Sequence, residues 1–199
     1  NFFAIREIFE KYRKSYNSPD PDRVVAEDLR YFLLSTHYRS PIDFSDSALD
    51  EAHNALNNFY NLFLKLEEIK SQDNIAPNKQ IEGILSGFQQ RFGEAMDDDF
   101  NTASALSEFQ KLRAEVNVIS SEKISRVEAI KIKNVFLSYG EILGLFGIPP
   151  EKWSFNVVIR DGVISGYGEI PGNFISEEFF QQKVAEREQA RRDKNWKRS

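Results

Sequence analysis

Few side chains in this sequence could do chemistry. It holds two histidines, His37 and His53, and no cysteine. A histidine titrates near neutrality and can move a proton, but no carboxylate stands at a spacing that would pair with His37, so acid–base work is not expected of it. His53 sits within a long helical run and reads as an ordinary surface or edge residue. The lack of cysteine excludes a thiol nucleophile, a disulfide and a thiolate metal site, and no pair of histidines has zinc-ligand spacing. There is no Gly-rich phosphate loop. The run Asp97-Asp98-Asp99-Phe100-Asn101-Thr102 invites a calcium-loop reading, yet its acids do not alternate, no glycine takes the sixth position and no glutamate closes it. It reads better as a joint between helices. Asn101 or Thr102 would cap the second helix, and each nearby carboxylate would favour its positive end by about 0.3–1 kcal/mol.

The cations carry more information. Arg23, Arg30 and His37 lie seven residues apart and would share a stripe if one helix ran through all three. Lys183, Arg187, Arg191, Lys194 and Arg198 follow spacings of four, four, three and four, which puts all five on one helical face. A merely solvated face usually alternates its signs in i,i+4 pairs, whereas Glu186, Glu188 and Asp193 lie off this stripe. The late helix is therefore expected to face a polyanion, with affinity falling as salt rises. The net charge of −5 does not oppose this, because binding follows the local patch rather than the sum. Arg30, His37 and Arg39, together with the five-residue stripe, are the candidate nucleic-acid contacts.

These groups need a frame to hold them. With 199 residues, 41% of them hydrophobic and 17 of them phenylalanine, the chain can bury a core of large rings. No apolar run reaches membrane-spanning length and no signal pattern opens the chain, so a soluble protein of a reducing compartment is expected. Apolar residues at helical period open the sequence. Asp20 and Pro21 start a second helix that is expected to run to about Tyr38. Leu29–Ser45 is an apolar helix turning into a polar corner broken at Pro41. Ser45 then caps a long helix carrying Leu49, Ala52, Leu56, Phe59, Phe63 and Leu66. Three more amphipathic segments follow: Ile81 to Met96, Thr102 to Ile119, and one from about Glu122 whose inner side is read as Ile124, Val127, Val135, Tyr139 and Ile142. Short polar joints between such segments favour an antiparallel helical bundle. Two β-branched runs about Asp161-Gly162 then predict a small hairpin, and Ser176 caps the last, basic helix.

Several stretches are similar to one family. Asn1-Phe2-Phe3-Ala4-Ile5-Arg6 resembles the sequence that follows the KMSKS-type loop of cysteinyl-tRNA synthetases. Leu29 to Pro41 resembles that family's helical corner. Ala95-Met96-Asp97-Asp98-Asp99-Phe100-Asn101-Thr102, Leu143-Gly144-Leu145 and Ala185 to Trp196 fit the same family in the same order. Residues 153–175 do not, and read as an insertion.

The resemblance implies a class I aminoacyl-tRNA synthetase that activates cysteine with ATP and Mg2+ and attaches it to tRNA(Cys), with one Zn2+ selecting the thiol. All of that chemistry would lie in a catalytic domain upstream of Asn1. For this chain it implies no catalytic, cofactor-binding or metal residue. It implies a mainly α fold instead: a stem-contact region over 1–44, a DALR-like anticodon-binding bundle over 45–152, a β-hairpin insertion over 153–175 and a basic helix over 176–199. Its partners would be tRNA(Cys) and its own catalytic domain, in a cytoplasmic monomer that binds no membrane. Two alternatives stay open: a fragment of the cysteine ligase of mycothiol synthesis, and a free-standing, non-catalytic helical tRNA-binding module.

Overall fold

Side-chain caps set most of the helix boundaries. The computed structural model describes residues 4–16, 18–70, 78–119, 123–153, 158–160 and 163–165. Helix α1 (Ile5–Tyr12) runs into a 3-10 turn at Arg13–Ser15. Pro21 opens α2 (Pro21–Leu34), where the Asp20 carboxylate accepts the Arg23 N–H at 3.4 Å. Ser45 caps α3 (Asp46–Glu68) by accepting the Ala48 N–H at 3.1 Å. Asn78 and Asn101 accept the N–H groups of Gln80 and Ser104, both at 3.0 Å, to start α4 (Lys79–Asp97) and α5 (Thr102–Val118). At α6 (Arg126–Ile142) the cap is reciprocal: Ser125 accepts from the Glu128 N–H, and Glu128 accepts from the Ser125 N–H at 2.9 Å. Caps of this kind contribute about 1 kcal/mol each.

The helices form the expected bundle. Helix α4 packs on α5, α2 on α3, and α3 on α6. Polar ties show which ends meet. Arg126 donates to the carbonyls of Leu66, Glu67 and Ile69 at 3.2, 2.7 and 3.3 Å, which joins the end of α3 to the start of α6 and satisfies carbonyls that a helix end leaves open. At the opposite end, Thr102 donates to the Leu34 carbonyl at 2.9 Å. The core is a lattice of rings from four helices and a loop: Phe59, Phe88, Phe109, Phe136 and Phe146, all buried. Neighbouring centroids lie 5.0 Å apart for Phe59–Phe146 and 5.1 Å for Phe88–Phe109, within the range where edge and offset contacts favour aromatic pairs.

Strands β1 (Val158–Arg160) and β2 (Val163–Ser165) pair antiparallel, with Ile159 opposite Ile164. All these elements belong to the unit Asn1–Tyr167. Among the described residues no helix is long and apolar enough to cross a membrane.

Three expectations about local structure are corrected. Helix α2 stops at Leu34, not near Tyr38, because the Ser35 hydroxyl and N–H both turn back onto the Phe32 carbonyl and cap the helix. His37 therefore lies outside the helix and does not share its Arg23–Arg30 stripe. The inner face of α6 is Ala129, Ile132, Phe136 and Gly140, while Val127 and Ile142 are exposed. Phe136 takes the place in the ring lattice; of the expected set Ile124 is buried and Val135 and Tyr139 pack on the core's edge, and only Val127 and Ile142 turn outward. Lastly, His53 is buried.

Candidate nucleic-acid interface

Helix α2 places Arg23, Glu27 and Arg30 at spacings of four and three, so they share one face. That face grips the turn after α6. Arg23 donates to the Gly147 carbonyl at 2.7 Å and Arg30 to the Gly144 carbonyl at 2.6 Å. Between them the Glu27 carboxylate accepts the Phe146 N–H at 2.7 Å and the Tyr60 hydroxyl at 2.8 Å. The turn needs this support, since Gly144 and Phe146 hold φ of +67° and +62°. Only glycine adopts that region without strain. Burial pushes the Glu27 carboxyl up to about 7, against the pull of its two hydrogen bonds. Burial, with the Glu27 carboxylate beside it, also raises the Tyr60 phenol.

The next residue faces a different network. Asp28 is fully buried and accepts the Tyr16 hydroxyl at 2.6 Å. His53 Nδ1 lies 3.1 Å from each Asp28 carboxylate oxygen, so Nδ1 carries a proton toward Asp28. The imidazole stacks on Trp153, with centroids 5.4 Å apart, and meets the tilted ring of Tyr16 at 4.9 Å. Trp153 in turn stacks on Tyr60 at 4.0 Å and donates its indole N–H to Asn57 at 2.7 Å. An Asp–His pair can serve as a proton relay, but a relay must reach a substrate. This one is sealed beneath Trp153 and ties α2 to α3, a structural role.

The corner after α2 is built from exposed groups. The Tyr38 hydroxyl donates to Asp99 at 2.9 Å and accepts from Arg39 Nε at 2.8 Å. Arg39 Nη2 reaches the other Asp99 oxygen at 3.0 Å. The Asp99 carboxylate, by its hydrogen bond, holds the Tyr38 phenol above its usual range. His37 stacks on Tyr38 with centroids 4.9 Å apart and accepts the Arg39 N–H on Nδ1 at 3.3 Å. A nearby recess of about 350 Å³ is lined by Tyr31, Ser35, Thr36, Asp43 and Glu51 among others, with no cation. It does not suit a phosphate.

Of the expected contacts, His37 and Arg39 come together at the corner. Arg30 lies instead on the Gly144 turn, and both arginines have intramolecular partners. Lys183, Arg187, Arg191, Lys194 and Arg198 lie outside the described residues. Among the described residues no group of three His, Asp or Glu side chains could hold a metal ion, and Asp97–Asp99 serve as a helix joint with Asn101 as the cap.

The stretch from Arg91 in α4 through α5 and α6 to Gly147 fits one family model. Residues 91–147 match the DALR domain. The likeness to curated proteins is wider than that domain. A cysteine--tRNA ligase of Pelobacter propionicus is 35% identical over all of this chain and 39% of its own length. One of Hahella chejuensis is 34% identical over all of this chain and 36% of its length. One of Geobacter sulfurreducens is 40% identical over 75% of this chain and 30% of its length. The chain thus spans well under half the length of these relatives.

The stretch that matches the DALR domain includes the Asp97–Thr102 joint and the Gly144–Gly147 turn, while the α2 residues that grip this turn lie outside it. Glu27, Asp28 and His53 were not expected to matter, and the tie of Asp99 to Tyr38 and Arg39 was not expected either. His53 left a signal, since it falls four residues after Leu49 and three before Leu56, on the apolar stripe of α3. Glu27 and Asp28 left a weaker one, lying between Val24-Val25 and Tyr31-Phe32. Asp99 left none, because its partners come from another helix joint.

Proposed function

We propose that this chain is the tRNA-binding, non-catalytic part of a cysteine--tRNA ligase. The observation that supports this best is the likeness to such ligases along its full length. In this reading a separate catalytic domain of the same polypeptide activates cysteine with ATP and Mg2+, and a zinc ion there selects the thiol. The chain itself has no cysteine to give a zinc ion a thiolate ligand, and the zinc ligands are assigned to the catalytic domain.

The bundle then acts as a ruler. A rigid body between the anticodon arm and the active site turns docking of the RNA into alignment of its acceptor end, which lowers the entropic part of the barrier. Contact with RNA phosphates is assigned to Lys183, Arg187, Arg191, Lys194 and Arg198, since phosphate contacts fix register and orientation. Arg30 holds the turn that packs Phe146 into the core. Arg39 and His37 belong to the seam toward the neighbouring domain, because the Arg39 guanidinium is already paired with Asp99 and the exposed Asp97 and Asp98 adjoin it in sequence.

The deciding experiment supplies the full-length protein with cysteine, ATP, Mg2+ and tRNA(Cys). Formation of cysteinyl-tRNA is expected. Transfer of cysteine to an amino-sugar acceptor in place of tRNA would overturn this reading in favour of the mycothiol-type ligase.

A further inference from the structure

The α4–α5 joint displays an aromatic residue that the ruler does not use. Phe100 follows Asp99, and both hold positive φ, +54° and +53°. That region costs a non-glycine residue about 1–2 kcal/mol. The strain is held in place by the hydrogen bonds of Asp99 to Tyr38 and Arg39, and by the backbone bonds from Phe100 to Met96 and from Asn101 to Ala95, both at 3.1 Å. Phe100 is 67% exposed, and Tyr38, which hydrogen-bonds the preceding Asp99, is 61% exposed. Exposed aromatic rings with an arginine are the residue types on which binding energy concentrates in protein interfaces.

The charge around this patch selects the partner. Asp97, Asp98 and Asp99 are all exposed, and Arg39 is already paired with Asp99. The local field is negative and repels RNA phosphates. The same field attracts a protein surface that carries lysine or arginine.

We propose that Tyr38, Arg39, Asp99 and Phe100 form a docking patch for a basic surface of the catalytic domain in the same polypeptide. Phe100 enters an apolar recess on that surface, and Asp97 and Asp98 face the cations around it. Asp99 is a positioning residue that fixes the Tyr38 hydroxyl and the Arg39 guanidinium. This rests on the reading above that a catalytic domain accompanies the chain.

The test uses the full-length protein with photoreactive benzoylphenylalanine at position 100, irradiated with and without tRNA(Cys), and cross-links mapped by mass spectrometry. The expected result is a cross-link into the catalytic domain that forms without RNA. Its yield should fall at least tenfold when Asp97→Lys and Asp98→Lys are added. A cross-link to tRNA alone, a cross-link to neither, or a yield unmoved by the charge reversal would each overturn the proposal. Failure of the unlabelled wild-type protein to charge tRNA(Cys) would instead overturn the reading beneath it, whatever cross-links form.

Discussion

Glu27 and Phe146 lie 119 residues apart, and the carboxylate of the first accepts the backbone N–H of the second at 2.7 Å. One buried acid thereby fixes a left-handed residue whose ring completes the core. A carboxylate in that position prefers to be protonated, and the cost of keeping it charged should be visible in stability.

The pH dependence follows from the raised Glu27 value of about 7. Between the unfolded value and about 7 the folded state binds the extra proton, so stability falls as pH rises. A shift of this size corresponds to roughly 3 kcal/mol, present in full below the unfolded value and lost as pH passes through 7. Thermal unfolding followed from pH 4.5 to 8.5 should show this decline. Glu27→Gln keeps an acceptor for Phe146 and Tyr60 but carries no charge, and should flatten the profile and raise Tm at pH 8.

Asp28 and His53 should behave as one unit. Replacing His53 by Ala leaves the Asp28 carboxylate buried with Tyr16 as its hydrogen-bond donor. Loss of one partner from a buried pair costs about 3–5 kcal/mol. The double variant Asp28→Asn, His53→Ala should be less destabilised than the two single losses added together. Urea unfolding of the four proteins measures the coupling, and simple additivity would show that the two side chains act independently.

Gly140 is required by contact rather than by its backbone angle. A methyl group there would lie 2.3 Å from a ring carbon of Phe146. Gly140→Ala should therefore lower stability by about 1–3 kcal/mol, the usual cost of overpacking, and should cost less when made in a Phe146→Leu background than in the wild type. An equal cost in both would mean that the turn accommodates the methyl group by some other movement.

Periodicity made most of the frame legible. Leu49, Ala52, Leu56, Phe59, Phe63 and Leu66 were assigned inward from spacing alone, and all six are buried. Caps at Ser45 and Asn101 were readable because a side chain and its acceptor role lie within three residues of each other. The polar interior was not legible in the same way. Asp28 meets His53 across 25 residues and Glu27 meets Phe146 across 119, so no local pattern announces either pair. Helix α6 was read partly off its inner face: Val135 and Tyr139 do adjoin the core, but Val127 and Ile142 match the period as well as Ile132 and Phe136 do and are exposed. Only the ring lattice, formed by other helices, decides between the two sets. At the corner, a heptad of cations suggested one stripe, yet the Ser35 cap ends the helix before His37.

The claim that this chain positions tRNA without performing chemistry is tested most directly by the salt dependence of tRNA(Cys) binding to the full-length protein. Lys183→Gln, Arg187→Gln and Arg191→Gln together should reduce the slope of log K against log salt by up to about 0.9 for each duplex phosphate contact removed. Cysteine-dependent ATP–pyrophosphate exchange should stay at the wild-type rate. Arg30→Gln, whose guanidinium is held by Gly144, should leave the slope unchanged while lowering Tm. An unchanged slope in the triple variant, or a loss of cysteine activation equal to the loss of tRNA affinity, would contradict the claim.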